Sequence, residues 1–244
     1  MEPAIAEKLW NWAERYNNPR YFEEDPIAFP RRFAAQLNPV EPKLGFGGEA
    51  AQVSLQDVET AAVFAAHLAW GRRAMIVRDC SRLFDEMNWH PYDYVMAGDW
   101  RDDNTSLHRT VKWSEIAKIC ARLKEFYGRA SSLEELSAEQ MRVQVFGQKE
   151  DPKAANKKIW MLRRWMVRDD GRVDLGLWKN SDKRDLVIPL DVHVYRQATE
   201  LGLTKRRAKD ILTARDITDS FREIFPDDPV KGDFALFGYG VNNA

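Results

Sequence analysis

The sequence predicts an all-α protein, and three observations carry that expectation. Apolar residues recur at helical spacing along most of the chain, as Ile5, Leu9, Trp12 and Ala13 do near its start. Start and stop signals bracket the periodic stretches: Ser54 and Asp57 lead into an apolar run that Gly71 ends, and Asp191 and Gly202 flank 191–201. Only MRVQVFG (141–147) alternates as a strand would.

Taken in order, a first helix is expected over 3–17, followed by a proline-marked segment, NNPRYFEEDPIAFPRRF (17–33), of turns and one short helix. NPVEPKLGFGG (38–48) reads as loop. Helices are expected at 54–70, 72–88, 112–127 and 132–140, with the polar stretch GDWRDDNTSLHR (98–109) as a loop among them. A helix over 154–168 precedes the loop 169–189, and helices at 191–201, 204–213, 214–224 and 230–240 complete the chain. The 244 residues, 44% hydrophobic, suffice for one large core or for two lobes sharing a cleft. No stretch reads as a linker, so 1–244 is expected to form a single unit.

Composition narrows the function. The longest uncharged apolar run, AAVFAAHLAW (61–70), is too short to span a bilayer, and the N-terminal ten residues lack a basic secretory lead. Two cysteines, Cys80 and Cys120, allow neither a disulfide framework nor a four-cysteine cluster, so a cytoplasmic setting is expected. The four histidines are scattered without metal-ligand spacing; no metal and no cofactor is expected. GxSxG, Walker and GxGxxG patterns are absent. Charge is uneven: residues 1–60 hold six Lys/Arg against ten Asp/Glu, whereas 142–184 hold twelve against six. Such a basic segment suits a polyanion, or equally a solvated helix face.

Two features carry chemistry. AANKKIWMLRRWMVR (154–168) sets Lys157 and Lys158 at a helix start, with Ile159, Leu162, Trp165 and Met166 on one face behind them. Dense positive charge and a helix N-terminus both disfavour protonating a further amine there, as an amine nucleophile requires. The second is IPLDVHVYRQATELGL (188–203), where Asp191 stands at a helix N-cap with Val192, Tyr195, Ala198 and Leu201 at helical spacing behind it. By themselves these are two surface lysines and a capping aspartate.

A lysine followed, some thirty residues on, by P-[VL]-D-x-H resembles the helix-hairpin-helix DNA glycosylase superfamily (HhH-GPD). The chain is more similar to a bacterial family of unknown function within it, itself similar to archaeal 8-oxoguanine DNA glycosylases. The resemblance runs through FAAHLAWGRRAMIVRDCSRLF (64–84), HRT (108–110), KKIWMLRRWMVR (157–168), VDLGLWK (173–179), PLDVHVYRQATELGL (189–203) and DDPVKGDFALFGYGV (227–241). It implies a two-lobed helical glycosylase fold with a cleft between the lobes, Lys157 and Asp191 facing across it. Lys157 is then the Schiff-base lysine, with Lys158 the alternative, and Asp191 the essential carboxylate. Trp70, Asp233 and Phe237 fall where relatives line the base pocket. Lys158, Arg163, Arg164, Arg168, His193, His108 and Arg109 would hold the DNA. Gly232, where relatives carry a bulkier residue, would widen the pocket. The LPGVG-type hairpin and the iron–sulfur cysteines of other branches are missing.

The implied activity is that of a monomeric DNA glycosylase with AP-lyase activity, which flips a damaged base such as 8-oxoguanine out of double-stranded DNA. Excision of an enzymatically modified base, such as a bulky cytosine in phage DNA, and an inactive DNA-binding module of the same ancestry are the alternatives.

Overall fold

The computed structural model describes residues 1–37 and 53–242, so the loop expected at 38–48 lies outside the described residues. Among the described residues about 60% are helical, with eleven α-helices, and the only sheet is a two-stranded hairpin. The all-α expectation therefore holds. No helix among the described residues is long and apolar enough to cross a membrane.

The chain divides into two compact units, Met1–Tyr21 with Lys149–Ala244, and Phe22–Gln148. In sequence, the second lies between the two segments of the first.

In the inserted unit, α2 (Ala28–Leu37), α4 (Arg73–Glu86) and α5 (Pro91–Ala97) pack on α3 (Leu55–Leu68). α3 is buried nearly all round, as its apolar run AAVFAA dictates. Ser54 and Asp57 close a capping box at its start, and Asp57 Oδ1 also accepts from the Tyr92 amide at 3.1 Å, which ties α5 to the same point. Buried Glu59 accepts from Tyr127 Oη (3.0 Å), Ser132 Oγ (2.5 Å) and the Leu133 amide (3.0 Å), fixing the end of α6 (Trp113–Tyr127) and the turn after it. The stretch expected as a loop at 98–109 contains β1 (Ser106–His108), which pairs antiparallel with β2 (Val111–Lys112). The stretch 141–147, whose alternation left strand and helix open, is helical as far as Gln144: α7 runs Ala138–Gln144 from a Ser137–Gln140 capping box.

The other unit joins the chain's two ends: α1 (Pro3–Tyr16) packs on α11 (Gly232–Asn242). Between them in sequence come α8 (Lys157–Val167), α9 (Val192–Glu200) and α10 (Ile211–Arg222). Residues 204–210, expected as helix, are not helical; Asp210 caps α10 through its bond from the Thr213 amide at 2.9 Å. α8 buries Ile159, Trp160, Leu162, Trp165 and Met166. Its C-terminal half is bound to the following loop, where the Leu175 and Trp178 amides donate to the carbonyls of Trp165 (2.7 Å) and Met166 (2.8 Å).

A buried ionic lattice finishes that anchorage. Arg168 Nη1 reaches Asp174 Oδ2 at 2.6 Å, its Nη2 reaches Asp170 at 2.7 Å, and its Nε reaches Asp228 at 2.9 Å. Arg164 joins Asp174 (3.3 Å) and Asp233, and both guanidiniums lie over the buried Phe234 ring. Removing one partner of such a lattice strands charge in the interior, at a cost of about 3–5 kcal/mol. Asp174→Ala, which takes one carboxylate from each of two arginines, is expected to lower the unfolding free energy from denaturant titration by an amount of that order; a loss under about 1 kcal/mol would place the lattice in solvent.

Burial pushes the Asp170 carboxyl upward, and Arg168, the Asn17 amide and the Arg172 backbone more than offset it, holding it below the usual carboxylate range. A carboxyl depressed on folding contributes stability above its unfolded value, near pH 4, and that contribution disappears as pH falls through the folded value. Asp170→Asn is therefore expected to flatten the fall of the thermal midpoint between about pH 5 and pH 2. An unaltered profile would count against the pairing.

Candidate functional site

Asp191 is the residue around which the site forms. It occupies the N-cap of α9, with Oδ1 accepting from the amides of His193 (2.8 Å) and Val194 (2.9 Å). Its other oxygen, Oδ2, lies 3.9 Å from Lys157 Nζ. Both side chains are about one-third exposed, at 31% and 32%, so the pair is open to a ligand. Lys157 is the first residue of α8, delivered by Asn156 in the left-handed conformation at φ 49°. Asparagine tolerates that conformation better than any residue but glycine. Capping and ion pairing thus use different oxygens of one carboxylate.

Lys157 and Asp191 were expected to face each other across a cleft between lobes. Both belong to one unit, and the pairing forms within it. Lys158, half-buried, is the second residue of the same helix. His193 is exposed on the first turn of α9.

Several expected DNA contacts are taken up by the protein itself. Arg164 and Arg168 are corrected to internal ion pairs, since their side chains are only 6% and 1% exposed and their donors are spent on carboxylates. Arg163 lies over the Trp160 and Trp178 rings (6.0 and 5.6 Å). Asp233 is tied to Arg164; burial raises its carboxyl above the usual range, against the pull of Arg164 and with a further push from Asp191. Phe237 packs against the Tyr16 and Tyr21 rings (5.6 and 6.1 Å). Gly232 does not widen a pocket: a Cβ there would meet the Phe221 ring at 2.2 Å, so helix packing excludes a larger residue.

Trp70, His108 and Arg109 lie in the inserted unit and gather among themselves. Trp70 is 38% exposed, with the Arg109 guanidinium 4.3 Å from its ring centroid. His108 is a second correction, because it is fully buried between Asp79 Oδ2 (2.8 Å) and the Trp70 carbonyl (2.9 Å) and cannot reach a strand. Gly71, at φ +104°, lets the backbone pass against Arg109, whose Nη1 would stand 2.6 Å from any Cβ. Burial pushes both thiols up, that of Cys120 to about 12, so neither is a nucleophile. Among the described residues, no group of three or more His, Cys, Asp or Glu could hold a metal ion.

Sequence reading missed the exposed cations of residues 203–210, LTKRRAKD, because that stretch reads as one more amphipathic helix. The missed signal was Asp210, whose N-cap position forbids helix before it. The inward face of α9 also differs from expectation: Val194, Gln197 and Ala198 are buried, and Val192 is 59% exposed.

What the site defines is a lysine–carboxylate pair at two helix starts of one helical unit. A family profile described as "Protein of unknown function (DUF2400)" matches residues 50–151 and 137–242, and the chain belongs to that family. Comparison with curated proteins and with solved structures finds no match.

The dual use of Asp191 separates its two roles by substitution. Asp191→Asn keeps an oxygen for the His193 and Val194 amides, and Asn caps about as well as Asp, so the thermal midpoint is expected to stay near that of the parent. Asp191→Ala removes the cap and is expected to cost about 0.5–2 kcal/mol. Equal losses for both, read by denaturant titration, would mean that the ion pair and not the cap holds the turn.

Proposed function

We propose that the protein is a DNA glycosylase with AP-lyase activity, built on a variant of the two-lobed helix-hairpin-helix glycosylase fold, that excises a damaged or enzymatically modified base. The observation that supports it most is the open Lys157–Asp191 pair at 3.9 Å, with Asp191 aimed by the start of α9. A target base in a duplex is out of reach, so it must be flipped out first, at a cost of a few kcal/mol that pocket contacts offset. The monomer would work on nucleoid DNA in the cytoplasm.

The chemistry follows from the pair. Asp191 takes a proton from the Lys157 ammonium, leaving a neutral amine whose lone pair attacks the anomeric carbon. The glycosidic bond breaks with its electrons passing to the base, which takes up the proton that Asp191 accepted. Having passed that proton to the base, Asp191 is again a carboxylate, and the positive charge on the sugar meets it in a position that needs no reorganisation. Ring opening of the lysine–sugar adduct gives a protonated imine. Loss of the adjacent sugar proton then expels the 3′ phosphate by β-elimination, and water releases Lys157.

Borohydride reduction on a panel of duplexes, each with one altered base, tests this. A covalent complex is expected with at least one substrate, lost in Lys157→Ala and retained in Lys158→Ala. Asp191→Asn is expected to slow base release by roughly 10²–10³. Trapping that survives Lys157→Ala but not Lys158→Ala would move the nucleophile by one residue, and no trapping or base release on any duplex would overturn the proposal.

A further inference from the structure

Two of the cations expected to hold a strand, Arg164 and Arg168, are buried, and in the same basic segment Arg172, Lys179 and Arg184 are paired with Glu14, Asp169 and Asp182. A closely spaced run of exposed cations lies elsewhere in the same unit. Residues 196–209 carry Arg196, Lys205, Arg206, Arg207 and Lys209 against a single acid, Glu200. Arg206 is held by Asp210 at 3.3 Å, and Arg196 by Glu200 at 3.8 Å. Lys205, Arg207 and Lys209 are exposed, and among the described residues they have no carboxylate partner.

These groups are held in a defined arrangement. The Tyr195 hydroxyl is shared between the carbonyls of Arg206 (3.1 Å) and Arg207 (3.2 Å), which fixes the loop against α9. The Lys209 ammonium lies 5.2 Å from the Tyr195 ring centroid. A groove runs here, lined by Val192, His193, Tyr195, Arg196, Thr199 and Glu200 of α9 and by Lys209, with Glu200 drawn to Arg196 at 3.8 Å. Its upper end is the residue after Asp191. The lower side is joined to the segment that delivers Lys157, because the Ile211 amide donates to the Lys153 carbonyl at 3.0 Å. The groove thus begins one residue beyond Asp191, and the basic loop is tied at its end to the segment that precedes Lys157.

We infer that Lys205, Arg207 and Lys209, with the exposed face of α9, form a phosphate-binding track for the backbone of a DNA strand that passes the Lys157–Asp191 pair. The charge sign selects a polyanion. The exposed Val192 and the alkyl stems of the cations give the sugar edge an apolar surface beside the phosphates. This track supplies grip that the missing LPGVG-type hairpin would otherwise provide. The inference rests on the glycosylase reading for its choice of DNA, and its test is a binding measurement that needs no catalysis.

Affinity for an undamaged DNA duplex is to be measured across a salt series for the wild type, for a Lys205→Gln/Arg207→Gln/Lys209→Gln variant, and for one with Lys205→Arg, Arg207→Lys and Lys209→Arg. Each phosphate contact contributes about 0.9 to the slope of log affinity against log salt. The neutral variant is expected to lose about 2–3 units of slope at an unchanged thermal midpoint, and the charge-conserving one to keep most of it. A slope unchanged in the neutral variant overturns the track while leaving Lys157 trapping to be judged separately. Wild type without measurable DNA binding overturns both. Dependence on these residues for duplex RNA but not for DNA overturns the choice of partner.

Discussion

The lattice of Arg164 and Arg168 with Asp170, Asp174, Asp228 and Asp233 is the constraint on which the candidate site depends. α8 has its nucleophile candidate at its first residue, and a helix end is placed only as well as the rest of its helix is held. Apolar packing of Ile159, Leu162 and Trp165 fixes which face of α8 turns inward but resists sliding and rotation weakly, since such contacts are non-directional. Bidentate, charge-assisted bonds fix direction as well. The arginines of the last two turns join α8 to the 169–178 loop, to the turn at Asp228 and to the start of α11. Lys157 is thereby aimed from the far end of its own helix.

Asp191 shows how one residue type can meet two demands. A helix start leaves amide donors without partners, and Oδ1 satisfies two of them. Because that oxygen is spent on the backbone, the carboxylate plane is fixed and Oδ2 points at Lys157 without a rotamer search. An aspartate placed only for charge would have to be ordered by other side chains at an entropic cost. The cap is thus the means by which the carboxylate is preorganised.

The legible parts of this chain were those written in local pattern. The apolar period gave α1, α3, α6 and α8 to within a few residues, and Asp191 read as an N-cap because its neighbours supply the period behind it. Where two local signals competed, capping decided the outcome. MRVQVFG alternates, yet Ser137 and Gln140 stand at capping-box spacing just before it, and the helix won. His90–Pro91 placed proline at a helix start, which marks α5 within a stretch of mixed polarity. The fates of Arg164, Arg168 and His108 were legible only in part: Asp170 and Asp174 stand within ten residues of the arginines, but Asp233 is 69 residues from Arg164, Asp228 is 60 from Arg168, and Asp79 is 29 from His108. Nothing in RRWMVR distinguishes a guanidinium that meets a phosphate from one that meets a buried carboxylate.

The chain's topology makes that candidate site self-contained. Lys157, Asp191 and the 203–210 loop all come from the C-terminal half, and the Lys157–Asp191 pairing and the bonds of Tyr195 to the loop lie within one unit. The N-terminal helix belongs to the same unit, although the whole inserted unit separates it in sequence. α1 lies against α11, and Gly238 lets the two approach so closely that a Cβ there would stand 2.3 Å from the Tyr16 ring. α11 in turn carries Asp233, which holds Arg164, and packs on α9, where Gly240 meets Gln197 as closely. The first helix is therefore part of the support for both helix starts at the site: it seats α11, and α11 is where the anchorage of α8 and the packing of α9 meet.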